Sequence, residues 1–137
     1  PAVLGDRSQL MQVLVNLATN AIEAMAETGG QLTLGVRVQA ASVDHQRPGG
    51  QPASLPASVI VEVADTGPGI SQEVLHQIWE PFYTTKPEGT GLGLAIVRSL
   101  VAEQPGASID VESRPHQGTT FTLTLPVANG SGQQPAA

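Results

Sequence analysis

The sequence predicts an α/β sandwich, with helices covering one face of a mixed sheet, and three observations carry that reading. Two segments, "QLTLGVRVQ" (31–39) and "SVIVEVAD" (58–65), alternate in polarity and are rich in valine, as strands with one buried face are. Two others, starting at Asp6 and at Leu92, repeat apolar residues at three- and four-residue intervals, as amphipathic helices do. Their order is helix, two strands, short helix, glycine loop, helix, two strands, whereas a doubly wound nucleotide fold would need strict alternation of strand and helix.

Each element has a local reason. Asp6, three residues before Gln9, makes a capping box that opens the first helix. The helix is expected to run to about Glu27, with Leu10, Val13, Leu14, Leu17, Ala21 and Met25 on one face and Gly29-Gly30 as its stop. The connection between the first two strands, "AASVDHQRPGGQPASLPA" (40–57), is rich in Pro, Gly, Ala and Ser and too polar to pack, so it reads as an exposed hairpin insertion. Ser71 to about Glu80 suits a short helix after the "DTGPGI" turn. Leu92 to Gln104 suits a longer one, facing the core with Leu94, Val97, Leu100 and Val101 and stopped by Pro105-Gly106. "ASIDVES" (107–113) and "TTFTLTLP" (119–126) make two more strands around the turn "RPHQG". Residues 1–126 are then one domain, and 127–137, "VANGSGQQPAA", a flexible C-terminal tail.

Composition narrows the chemistry. A chain of 137 residues, 40% hydrophobic, is long enough for one domain with a core. No apolar run has membrane-spanning length and no leader pattern opens the chain, so a cytoplasmic setting without membrane contact by this domain is expected, whether or not a parent protein is membrane-anchored. The absence of cysteine excludes disulfides, thiolate zinc sites and a thiol nucleophile. The formal charge is −6, and the basic residues Arg7, Arg37, Arg47, Lys86, Arg98 and Arg114 form no stripe, which argues against a nucleic-acid partner. An anionic ligand would have to be held by helix N-termini, glycine-loop amides, a metal ion and one or two cations.

Three features suit such a ligand, and each also has an ordinary structural reading. "GTGLGL" (89–94) is neither a dinucleotide fingerprint nor a P-loop, since its spacing is GxGxG and no GK[ST] follows. Its glycines either form a flexible turn or expose successive amides to a phosphate at the start of the next helix. In "VADTGPGI" a strand delivers Asp65 to a sharp turn, where the carboxylate either bonds its own backbone or accepts from an exocyclic amine. Asn16 and Asn20 share one side of the first helix with Glu23, and mid-helix asparagines cost stability unless used. They either tie loops inside the fold or offer amide oxygens, hard ligands suited to Mg²⁺. His45, His76 and His116 have no metal-ligand spacing and read as surface residues. Trp79 and Phe82 read as hydrophobic anchors of the glycine loop, and Glu73, Glu80 and Glu88 as a solvated face.

In order, "QVLVNLATNAIEAM", "VADTGPGI", "WEPFYTTKPEGTGLGLAIV" and "GTTFTLTLP" give the chain a specific likeness. From Gly5 to Pro126 it resembles the catalytic and ATP-binding domain of two-component sensor histidine kinases, in the Bergerat-fold group that includes gyrase, MutL and the anti-sigma-factor kinases. The resemblance implies an ATP-binding domain over residues 1–126 that transfers the γ-phosphoryl group of Mg-ATP to a histidine on a separate dimerisation domain, for onward passage to a response regulator receiver domain. It also implies that Asn20 coordinates Mg²⁺, that Asn16 supports the phosphates or the metal, and that Asp65 binds the adenine amino group in a pocket shaped by Gly67, Gly69 and Ile70. "PFYTTK" is similar to the mobile ATP lid, which brings Phe82, Thr84, Thr85 and Lys86 to the nucleotide, Lys86 as a cation on the phosphates. Gly89, Thr90, Gly91, Leu92, Gly93 and Leu94 correspond to the glycine box over the phosphates, and Thr119 or Thr120 to a threonine that reaches adenine through water.

Hydrolysing relatives carry a water-activating glutamate one turn before the metal-binding asparagine, where this chain has Asn16, so efficient hydrolysis is not expected unless Glu23 substitutes. Two departures stand out: "EQPGAS" replaces a His-Gly-Gly stretch, and the 40–57 loop is long. The chain begins without the histidine-bearing helix pair and reads as an excised domain. Two alternatives share the motifs: a serine/threonine kinase of the anti-sigma type, and a nucleotide-binding module without transfer activity.

Overall fold

The computed structural model describes residues 3, 5–44, 49, 53–55, 57–83 and 93–127. Helix α1 (Arg7–Ala24) begins at Asp6, whose carboxylate accepts the backbone N–H of Gln9 at 3.0 Å. The reciprocal half of the capping box is supplied from elsewhere. Asp6 N–H donates to Gln104 Oε1 at 2.7 Å, while the Gln104 amide donates to Gln9 Oε1 at 2.6 Å and to the Leu100 carbonyl at 2.9 Å. A buried glutamine at the end of the second long helix thus ties down the start of the first.

The strands are β1 (Leu32–Gln39), β2 (Ser42–Asp44), β3 (Ala53–Leu55), β4 (Ser58–Asp65), β5 (Ser108–Arg114) and β6 (Gly118–Pro126). The main sheet has the order β1-β4-β6-β5, and each of its ladders is antiparallel, not mixed as expected. The reason is topological. β4 and β5 do run in the same direction across the helical connection, but the β5-β6 hairpin inserts β6 between them. Inside the segment read as an exposed hairpin insertion, β2 and β3 pair as a second, short antiparallel ladder from Ser42↔Leu55 to Asp44↔Ala53.

Helices α1 and α3 (Gly93–Ala102) pack on one face of the sheet. Strand periodicity puts Val63, Phe121, Leu123 and Leu125 on that face, and α1 meets them with Val13 and Leu17, α3 with Val97 and Val101. Ile78 completes this core, with Trp79 edge-on to Phe121 at a centroid distance of 5.9 Å. α1 reaches little beyond β4, so Leu34, Val36 and Val38 on the edge strand β1 stay exposed.

Helix α2 (Gln72–Leu75) is shorter than the expected 71–80 and continues as hydrogen-bonded turns to Tyr83. Ser71 caps it, accepting from Val74 N–H at 3.3 Å. Val127, assigned to the tail, is instead held: its N–H donates to the Ala57 carbonyl at 2.9 Å and it bridges to Val3. Residues 128–137 of the expected tail lie outside the described residues.

Candidate functional site

The candidate base-binding end is built where β4 stops. Asp65 is the last residue of that strand, on the helix-facing side of the sheet, and its register partner on β6 is Thr119. Of the two threonines proposed from the sequence, Thr119 therefore shares the face of Asp65, whereas Thr120 pairs with Ala64 and belongs to the opposite face. Asp65 Oδ1 accepts the N–H of Gly67 at 2.9 Å, the short turn that the ordinary reading required. Among the described residues Oδ2 accepts no hydrogen bond, so the same carboxylate is both braced and available.

The turn after Asp65 is pressed against the β5-β6 hairpin. Gly69 has φ +75°, and a Cβ there would overlap the Arg114 carbonyl. His116 N–H donates to the Pro68 carbonyl at 2.6 Å, and Ile70 N–H donates to Ser113 Oγ at 2.7 Å. Thr66 closes the other side, accepting from Gln31 N–H at 2.9 Å and donating weakly to Met25 Sδ at 3.9 Å. Gly67 lies close to Met25 and the Ala24 carbonyl, which brings the turn up to the end of α1.

Asn16 and Asn20 lie on α1 beside its buried stripe of Val13, Leu17 and Ala21, each partly exposed. Asn16 Oδ1 accepts from Gln12 at 2.8 Å, and its Nδ2 reaches the carbonyl of Gly93, the first residue of α3, at 3.4 Å. The amide thus ties α1 to the start of the helix that follows the glycine box. Asn20 has no side-chain hydrogen bond among the described residues. Among the described residues, too, no group of three His, Cys, Asp or Glu could hold a metal ion. A cation here would take an amide oxygen from the protein and the rest of its shell from water and phosphate, a donor set that fits Mg²⁺.

Phe82, expected with Trp79 to be an apolar anchor, is 75% exposed, in a turn with φ +67°. Trp79 alone packs inward. Leu94 is partly buried against the core, His76 and His116 are exposed as expected, and so are Glu73 and Glu80. Thr84, Thr85, Lys86, Glu88, Gly89, Thr90, Gly91 and Leu92 lie outside the described residues, as does His45.

Two buried polar residues that brace the fold around these elements were missed in the sequence. Gln104 fixes the start of α1, and Ser113 stands beside Thr119 across the β5-β6 ladder. For Ser113 the signal was present: in "ASIDVES" it falls on the same parity as Ile109 and Val111, a polar residue on a core-facing register.

Residues 5–129 match the family described as Histidine kinase-, DNA gyrase B-, and HSP90-like ATPase. The chain belongs to that family. It is 42% identical over 127 residues to the sensor histidine kinase ZraS of Escherichia coli K12, covering 93% of this chain and 23% of ZraS. Among solved structures, the catalytic domain of the histidine kinase ThkA matches at 34% identity and a TM-score of 0.61, over 90% of this chain and 70% of that one. Full-length ShkA, solved in complex with AMPPNP, matches at 35% identity and a TM-score of 0.64, over 93% of this chain and 24% of that one. Within the ATPase family the chain is a histidine-kinase catalytic domain, and it spans less than a quarter of the length of relatives such as ZraS.

Proposed function

We propose that this domain binds ATP with Mg²⁺ and passes the γ-phosphoryl group to a histidine on a dimerisation domain, from which a response regulator receiver domain takes it. The observation that carries the reading is the Asp65 carboxylate, braced through Oδ1 by Gly67 and without a partner on Oδ2 among the described residues, beside its register partner Thr119. Such an acceptor suits the exocyclic amine of adenine. The described part of the chain carries no helix long and apolar enough to cross a membrane, and we place the reaction in the cytoplasm.

The residues divide the work. Asp65 and Thr119 hold the base, and Gly67, Gly69 and Ile70 shape the turn around it. Asn16 fixes the start of α3, so the helix N-terminus and the glycine box can face the phosphates. Asn20 would hold Mg²⁺, which when bound supplies charge neutralisation on the β- and γ-phosphates. Lys86 and the lid residues Phe82, Thr84 and Thr85, with Gly89 to Leu94, close over the nucleotide. The acceptor imidazole nitrogen forms its bond to the γ-phosphorus as the bond to the β-γ bridging oxygen breaks, and that oxygen leaves with ADP. Asn16 stands where a general base would activate water, and an amide takes no proton, so transfer outruns hydrolysis.

The test is to mix the domain and γ-labelled ATP with a histidine-bearing dimerisation domain. Acid-labile, base-stable label on the dimerisation domain, with little free phosphate, is the expected result. Rapid release of phosphate to water without labelling would contradict it.

A further inference from the structure

Ser113 is 8% exposed and Thr119 6%, and their hydroxyl oxygens are 2.7 Å apart. Ser113 Oγ also accepts the N–H of Ile70 at 2.7 Å and donates to the Gly118 carbonyl at 3.0 Å. A serine hydroxyl has one proton. Since that proton goes to Gly118, the proton in the Ser113-Thr119 bond belongs to Thr119, and Ser113 is its acceptor. Thr119 Oγ1 is left with lone pairs only. It stands across the ladder from Asp65, whose second carboxylate oxygen is also an acceptor.

From this arrangement we infer that Ser113 is a positioning residue for base selection: by taking the Thr119 proton it makes the floor of the base site acceptor-only. The inference rests on the nucleotide reading above. A 6-amino purine presents a donor directly to that floor. A 6-oxo purine presents a carbonyl oxygen and leaves two acceptors facing a third. Ile70 N–H, next to the turn glycine Gly69, also donates to Ser113, so the turn and the hairpin jointly fix the direction of one proton.

The experiment compares binding of ATP and inosine triphosphate, which differ at the 6-position, to the wild-type chain and to Ser113→Ala, Ser113→Cys and Thr119→Val. Each variant is also melted to check folding. With Ser113→Ala the Thr119 hydroxyl is free to turn and donate, and the preference for ATP over inosine triphosphate should fall about tenfold, the scale of one hydrogen bond. A merely structural loss would weaken both nucleotides alike and leave the ratio intact. Adding Ser113→Ala to Thr119→Val should not move the ratio further, because the two act as one unit. If Ser113→Ala does not fold, Ser113→Cys, with a weakly accepting sulfur, carries the comparison and should lower the ratio too. An unchanged ratio in a folded variant that still binds ATP overturns the role of Ser113 alone. A wild-type chain that binds neither nucleotide overturns the nucleotide reading and this inference with it.

Discussion

Gly118 lies against the main chain of Asp65 so closely that a Cβ on Gly118 would overlap the Asp65 carbonyl. The backbone of Gly118 has φ +93°, so even with room a side chain would be strained there. The hairpin that carries Thr119 is therefore what holds the aspartate at its height in the site.

Replacing Gly118 with alanine should separate β4 from the β5-β6 turn and displace Asp65. The expected cost is about 1–3 kcal/mol of stability, from the strained backbone and the forced shift. Thermal melting reads the stability, and a nucleotide titration on the folded fraction should show weakened binding. A variant with unchanged melting would mean that the close approach is relieved without effect.

Gln104 offers a contrast, because it supports the fold from the far end of α1. It is 3% exposed and its amide serves Asp6, Gln9 and Leu100 together. Gln104→Ala should cost about 1–3 kcal/mol through the unpaired Asp6 N–H and the lost helix tie. Nucleotide affinity of the folded protein should not change, since Gln104 touches none of the proposed binding residues.

Asn20 is assigned to the metal, so its removal should act through Mg²⁺ and not through the base. In Asn20→Ala the gain in ATP affinity on adding Mg²⁺ should shrink, while affinity in the presence of a chelator stays near the wild-type value. Asn20→Asp, which keeps an oxygen ligand, should retain most of the gain. Titrations with and without the cation decide it.

The two sides of α1 should respond differently to truncation. Leu17 is fully buried between the sheet and α3, and Leu17→Ala should cost about 2–5 kcal/mol by cavity formation. Met11, on the exposed side, should lose no more than about 0.5 kcal/mol when changed to alanine. Denaturant unfolding measures both.

Local pattern made the elements legible. The limits of β4 coincide with the alternating segment 58–65, and the buried stripe of α1 is the one its apolar spacing marked. Polarity misled in the 40–57 connection, where a short ladder forms between residues that have no apolar repeat to announce it. The sheet was expected to be mixed, and nothing local in the sequence shows that β6 would be inserted between β4 and β5. At the site, Asp65, Gly67 and the asparagines were visible as motifs. Gln104 was not, since it acts through a partner far away in sequence, Asp6, 98 residues off, and Ser113 was marked only as a polar residue on a core-facing register. Phe82 differs from expectation because apolarity was taken for burial, and its ring is exposed.

Calorimetric titration decides whether Asp65 reads the adenine of a Mg-bound ATP. ATP and GTP are titrated into the wild-type chain and into Asp65→Asn, with Mg²⁺ present. Saturable binding of ATP is expected, with GTP much weaker, and a loss of about tenfold or more in ATP affinity in Asp65→Asn, the worth of a hydrogen bond to a charged acceptor. Equal binding of ATP by the wild type and by a folded Asp65→Asn variant would contradict it.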